Sequence, residues 1–238
     1  MLAHRVMMGA AKGKAPDELS TTVFRWYKAS QITGLSDGDP VSQWDDESAN
    51  ADHAVQATGA NQPIYKTGIL NGHPVVRFDG SNDYLTLSNI LDATSSVGHF
   101  FAVAIHNGTG IANILSNRVD GSNSGGWLLG YQDQATPRYG HNGVGTVTYS
   151  ATDQFNIIEA QRNGTTSSVI GVNGSLGSSS ALNYTVAGSS ATKLGVLDTN
   201  GTRALNGDIA EIVIYDSLLS SADRLALIQH FKAKYGIS

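Results

Sequence analysis

Three groups of side chains in this 238-residue sequence have types and spacings suited to chemistry. In FDGSNDYL, Asp79, Asn82 and Asp83 place three oxygen-bearing side chains on one short turn. A hard cation such as Ca²⁺ takes about six to eight oxygens from carboxylates, amides and turn carbonyls, so this turn is the candidate calcium site. In the competing reading, Asp79 and Asn82 cap amides of their own turn. Further on, Trp127 and Tyr131 lie close to Asn123 and Asp133 around the run DGSNSGG, a combination of aromatic, amide and carboxylate that suits a sugar. Here too there is a plainer alternative. Trp127, Leu129 and Tyr131 alternate along one strand face, as core residues do. The third group is Asp208 with Glu211 in GDIAEIVIYD, the nearest approach to the paired carboxylates of a glycoside hydrolase. A separation of three sends them to opposite faces of a regular strand, so they converge only if the strand is bulged.

Other chemistry has less support. Asp45, Asp46 and Glu47 are flanked by Ser, Ala and Asn and read as a solvated loop. The seven His are scattered without an i, i+4 helical pair, and neither a Gly-x-Ser-x-Gly elbow nor a phosphate-binding Gly-rich loop occurs. With no Cys there are no thiol nucleophiles, disulfides or cysteine zinc sites. The chain reads as non-enzymatic.

These groups must be positioned by strands. Gly is abundant at 27 residues, charged residues make up only 15%, and Asn-Gly or Asp-Gly pairs recur along the chain. Such pairs tolerate the positive φ of two-residue hairpin turns. Between them lie short runs that read as strands, among them PVVRF (74–78), HFFAVAIH (99–106), GWLLGY (126–131), FNIIEAQR (155–162) and DIAEIVIYD (208–216). Many short strands with Gly-rich turns predict an all-β sandwich. One helix is expected at 220–235, where Leu225, Ile228, Phe231 and Tyr235 recur at spacings of three and four. Ser220 is its expected N-cap and Gly236 its C′ residue.

Residues 1–22 read as an N-terminal arm and 23–238 as the sandwich domain with its helix. The arm holds all three methionines, Met1, Met7 and Met8, together with Arg5. Adaptable thioethers recur at docking surfaces, so the arm is expected to contact other protein subunits. The net charge is −5 with no basic stripe, which argues against nucleic acid. No apolar run reaches about 18 residues, so membrane insertion is not expected. The opening MLAHRVMMGAAKGK is broken by Arg5 and Lys12 and does not read as a secretory signal.

Several stretches together resemble the laminin-G-like, concanavalin-A-like jelly rolls of bacterial and phage surface proteins. They are QWDDESANADHA (43–54), NGHPVVRFDGSNDYLTL (71–87), HFFAVAIH, VIGVNGSLG (169–177) and the closing strand and helix from Leu205 to Ile237. The resemblance implies a two-sheet antiparallel jelly-roll sandwich and favours calcium at a sandwich rim. It also implies a role in binding glycans, binding proteins or packing into an assembly, and the fold alone does not choose among these. The leading expectation is a non-catalytic structural or adhesion subunit of a larger particle, of the tailed-phage virion kind. A free or cell-surface calcium-dependent lectin is the alternative, and a polysaccharide hydrolase stands behind both.

Overall fold

The computed structural model describes residues 13–88, 90, 97–117, 126–141, 145–152, 154–164, 167–181, 191–197 and 203–238. In chain order the strands are β1 (Arg25–Lys28), β2 (Gln43–Trp44), β3 (Ala54–Val55), β4 (Ile64–Leu70), β5 (His73–Asp79), β6 (Leu85–Leu87), β7 (Val97–His106) and β8 (Ala112–Ser116). They continue with β9 (Trp127–Asp133), β10 (Thr136–His141), β11 (Gly145–Thr148), β12 (Asn156–Asn163), β13 (Ser167–Val172), β14 (Ser175–Leu176), β15 (Thr192–Leu194) and β16 (Asn206–Tyr215). One helix follows, α1 (Ser221–Tyr235).

The strands form two antiparallel eight-stranded sheets, the two layers of a jelly-roll sandwich. The first has the order β14-β13-β12-β7-β16-β5-β4, and the second β11-β10-β9-β8-β15-β6-β3-β2. In the first, β1 lies beside β16 at residues 211–214, while β5 takes the same edge at residues 206–209. Between the sheets, Phe100, Ala102 and Ala104 of β7 meet Trp127, Leu129 and Tyr139 of the second sheet. The alternate residues Phe101 and Val103 face outward, where Leu227, Ile228, Phe231 and Tyr235 of α1 cover them. This central strand is therefore buried on both faces and reads as a nearly continuous apolar run. Each large apolar side chain so covered contributes roughly 1.5–3 kcal/mol.

Helix α1 starts where Ser220 Oγ accepts the Asp223 amide at 3.1 Å, and ends with Gly236 at φ +68°. Its apolar face differs from the expected one in one residue. Leu225 is 50% exposed, and Leu227 takes its place against the sheet. The turn chemistry also divides. Asn71-Gly72 has φ of +48° and +79° and closes the β4–β5 hairpin. Asn206-Gly207, by contrast, lies inside β16, where a Cβ on Gly207 would stand 2.0 Å from the Ile105 carbonyl oxygen.

Candidate functional site

β16 contains a bulge. Its pairing with β7 steps from Ile209↔Ala104 to Glu211↔Val103, so Ala210 is the extra residue. Ala210 then faces the helix layer, and so does Glu211. The expectation that Asp208 and Glu211 lie on opposite faces is thus overturned, because Asp208 pairs with Arg77 on this same face. Both carboxylates are nonetheless engaged. Asp208 accepts both Arg77 Nε (2.7 Å) and Nη2 (2.8 Å). Glu211 accepts Trp26 Nε1 on one oxygen (2.6 Å), and Lys234 Nζ (2.7 Å) and the Tyr235 hydroxyl (2.6 Å) on the other. Burial and the Glu211 charge raise the Tyr235 phenol well above its usual range, so it stays a donor.

The expected sugar platform is not formed by the residues singled out for it. Trp127 and Tyr131 are fully buried between the sheets, with the Trp127 ring 5.1 Å from Phe100. The strand alternation that placed them on one face placed that face inward. Asp133 is exposed and caps the β9–β10 turn by accepting the Ala135 amide at 3.0 Å. Asn123 lies outside the described residues, as do Met1, Arg5, Met7 and Met8.

The turn at 79–83 does bring Asp79, Asn82 and Asp83 together, and its two aspartates cap amides of the turn itself. Asp79 Oδ1 accepts the Ser81 and Asn82 amides, and Asp83 Oδ2 accepts the Asp79 amide at 3.0 Å. Asn82 Nδ2 donates to Ala60 O and Asn61 Oδ1. Burial, with Asp79 beside it, pushes the Asp83 carboxyl up to about 6. Asp79 Oδ1 and Asp83 Oδ2 thus cap amides of their own turn, the arrangement of the competing reading.

A cleft of about 300 Å³ opens instead at the exposed side of β1. Its floor is Trp26, its one wall Asp17 and residues 19–23, and its other wall Glu47, Ser48 and Ala49. The second wall is built by Asp46, which is buried rather than solvated as the sequence suggested. Its carboxylate accepts the amides of Trp26 (2.8 Å), Ser48 (2.9 Å) and Asp52 (3.1 Å), and the Glu47 amide returns a bond to the Trp26 carbonyl at 2.7 Å. Arg25 Nε bridges to Asp52 at 2.9 Å. Burial alone would raise the Asp52 carboxyl, but Ser88 and Arg25 hold it below the usual carboxylate range.

The first wall is tied to α1 and to the end of β16. Ser20 Oγ donates to Asp223 Oδ2 at 2.6 Å, the Lys14 amide to Ala226 O at 3.1 Å, and the Tyr215 hydroxyl to Pro16 O at 3.2 Å. Over the floor, Lys28 Nζ stands 3.7 Å from the Trp26 ring and 3.8 Å from Glu47. The cleft is therefore lined by Trp26, Thr21, Thr22, Asp17 and Glu47, residue types that carry an aromatic ring, hydroxyls and carboxylates. Such groups donate to, accept from and pack against sugar hydroxyls and C–H faces. In the sequence, nothing local joins Trp26 to Asp17 or Glu47.

No protein-family model matches the chain, and no curated protein matches its sequence. Among solved structures, the receptor binding domain of botulinum neurotoxin D superposes with a TM-score of 0.62 at 11% identity, over 89% of this chain and 53% of that one. The CBM40 module of the Ruminococcus gnavus IT-sialidase, bound to α2,6 sialyllactose, gives 0.51 at 13% identity, over 65% and 96%. The Trypanosoma rangeli sialidase in complex with sialic acid gives 0.55 at 13% identity, over 93% and 34%. The chain spans about half the length of the neurotoxin domain and a third of the whole sialidase. At these identities the likeness is one of fold, the two-sheet sandwich. Among the described residues, no helix is long and apolar enough to cross a membrane.

Proposed function

We propose that this chain is a non-catalytic glycan-binding adhesion module of the laminin-G-like, concanavalin-A-like type, carried as a subunit of a larger particle such as a tailed-phage virion. The observation that carries the glycan reading is the Trp26 cleft, whose lining includes an aromatic residue, Asp17, Glu47, Thr21 and Thr22 on walls held by Asp46 and Asp223. Its volume lies at the lower end of small-ligand sites and suits one sugar unit. Carboxylates in the wall favour a neutral sugar, whose hydroxyls donate to them. The superposed folds include a module bound to sialyllactose, which supports a glycan as partner though not its charge. The non-catalytic part rests on Asp208 and Glu211, whose oxygens are occupied by structural partners.

The test is a screen of the whole chain on a neutral glycan array, followed by titration of the best ligand. Ala49→Trp fills the cleft from an exposed loop position, where a surface change usually moves stability by no more than about 0.5 kcal/mol. Binding is expected to vanish in that variant and to weaken about tenfold in Glu47→Gln, one hydrogen bond to a charged group being lost. Undiminished binding by Ala49→Trp would remove the cleft from the proposal, and no binding to any glycan would remove the reading itself. Co-sedimentation of the protein with a particle at fixed stoichiometry tests the subunit part.

A further inference from the structure

Beneath the helix, one histidine sits where a proton can act on the Trp26 cleft from a distance. His99 of β7 is fully buried, and both of its ring nitrogens are committed. Nδ1 accepts the Leu219 amide at 3.2 Å, so Nε2 carries the proton donated to Glu159 Oε1 at 2.7 Å. Among the described residues, the charged groups facing the ring are Glu159 of β12 and Arg224 of α1, and Arg224 Nε bonds Glu159 Oε1 as well, at 2.6 Å. The neutral ring satisfies every one of these contacts. An imidazolium carries a proton on each nitrogen, and its Nδ1–H would point at the Leu219 N–H, where it meets no acceptor.

Leu219 leads directly into the end of the helix that holds the cleft. The next residue, Ser220, caps α1: its Oγ accepts the Asp223 amide and donates to Asp223 Oδ2, each at 3.1 Å. That same Oδ2 accepts Ser20 Oγ at 2.6 Å, and Ser20 belongs to the first wall of the cleft. One contiguous chain of contacts thus runs from His99 through Leu219, Ser220 and Asp223 to the wall. Asp223 stays ionised while His99 titrates, because the Ser20 hydroxyl, with Ser220 and Lys14, holds its carboxyl below the usual carboxylate range.

We propose that His99 is a proton switch for the Trp26 cleft: a solvent proton taken up on Nδ1 expels the Leu219 amide, frees the first turn of α1 and loosens the wall that Ser20 anchors, so that the cleft releases its glycan in acid. The release of a glycan rests on the reading above; the movement of the wall does not. Its direction follows from linkage. With the turn docked, burial opposes charging of the ring, and Glu159 offsets only part of that. With the turn detached, the ring regains its ordinary pKa of about 6.5. The proton therefore favours the detached state, by up to about tenfold for each pH unit below about 6.5. A second histidine on α1, His230, touches the same N-terminal segment at Gly13, where a Cβ would stand 2.4 Å from His230 N. It faces Glu211, Lys234, Glu18 and Asp17, and serves as the control.

The experiment uses the whole chain labelled with fluorotryptophan and followed by fluorine NMR without ligand, between about pH 8 and 5, the range in which histidine titrates. Trp26→Phe identifies the Trp26 line among the three. That line is expected to move below about pH 6.5, while Trp44 and Trp127, sealed between the sheets, hold their positions and exclude unfolding. The movement is expected to vanish in His99→Gln, which offers a donor and an acceptor but takes no proton, and to persist in His230→Gln. A static Trp26 line in the wild type, the same movement in His99→Gln, or its loss in His230→Gln overturns the switch. Ser20→Ala, an exposed change that cuts the wall from Asp223, is expected to bring the line towards its acid position already at about pH 8. No displacement there overturns the part given to the wall, and this variant decides if His99→Gln does not fold. The neutral glycan selected on the array is then titrated over the same range. Its affinity is expected to fall with the Trp26 line in the wild type and to hold in His99→Gln; an affinity that stays constant while the line moves overturns the control of binding. The fluorine spectra need no glycan, so failure of the glycan reading and failure of the switch are told apart.

Discussion

Between the two sheets, Trp44 and Trp127 bury indole N–H groups and Tyr131 buries a phenol that meet no hydrogen-bond partner among the described residues. Beneath the helix the polar atoms are organised instead. Glu211 gathers Trp26, Lys234 and Tyr235. Glu159 Oε1 gathers His99 Nε2 at 2.7 Å and Arg224 Nε at 2.6 Å, although its Oε2 is left without a partner. The contrast separates two ways of holding layers together. The inter-sheet core is specified by volume and by the alternation of its strands, and it tolerates a few unpaired donors. The helix has only one apolar stripe to place it on the sheet, and its register is pinned by two buried glutamates, half of the four in the chain.

The sharpest way to break that contrast is Glu211→Ala. It strips a buried partner from Lys234, Trp26 and Tyr235 at once, and removing one member of a buried charged set costs about 3–5 kcal/mol. Urea unfolding, followed by the fluorescence of the three tryptophans, is expected to show that loss. A change below about 1 kcal/mol would mean that the apolar stripe alone docks the helix.

Acid attacks the same layer. His99 Nδ1 accepts the Leu219 amide at 3.2 Å, so Nε2 carries the proton given to Glu159. Burial pushes the His99 pKa below its ordinary value, with Glu159 offsetting part of the shift. The unfolded chain therefore binds the extra proton first, and stability falls as pH drops below about 6.5. Burial would raise Glu159, but His99 and Arg224 hold it low, so its contribution is present above about 4.3 and lost as pH falls through its folded value. Asp83 has the opposite sign: its folded pKa of about 6 means stability is lost as pH rises through that value. Tm measured from pH 8 to 4 in an Asp83→Asn background is expected to decline continuously with acid. In His99→Gln the upper part of that decline, near 6.5, is expected to shrink to the share of His230, which burial also holds below its ordinary pKa; an unaltered profile would mean that His99 does not set the acid limit.

What could be read from the sequence follows from how local each signal is. Ser220 and Gly236 act within one turn of the helix, and Asn71-Gly72 closes its hairpin by its own φ angles, so these were legible. Asn206-Gly207 carries the same dipeptide but is held in a strand by its close approach to Ile105, which lies a hundred residues away in the chain. The bulge at Ala210 was invisible because it marks the point where β1 replaces β5 beside β16. The Trp26 cleft was equally hidden. Its walls come from 17–23 and 47–49 and meet through contacts no spacing announces, among them Asp46 accepting the Trp26 amide and Ser20 donating to Asp223. Trp127 and Tyr131 illustrate the converse, since alternation told which side chains share a face but not that the face looks inward.

The smallest expected effect probes the other side of the contrast. Tyr131→Phe removes a buried hydroxyl that meets no partner and leaves the ring in place, 5.2 Å from His106. Burial already holds that phenol far above its usual pKa, so no charge is lost with it. A hydroxyl taken from water without a partner costs about 1–3 kcal/mol, whereas the space it vacates costs only part of that. The variant is therefore expected to be as stable as the wild type or up to about 1 kcal/mol more so in the same urea titration. A loss of more than about 1 kcal/mol would show that the hydroxyl has a partner in solution, and the inter-sheet core would then be pinned by polar bonds in the same way as the helix layer.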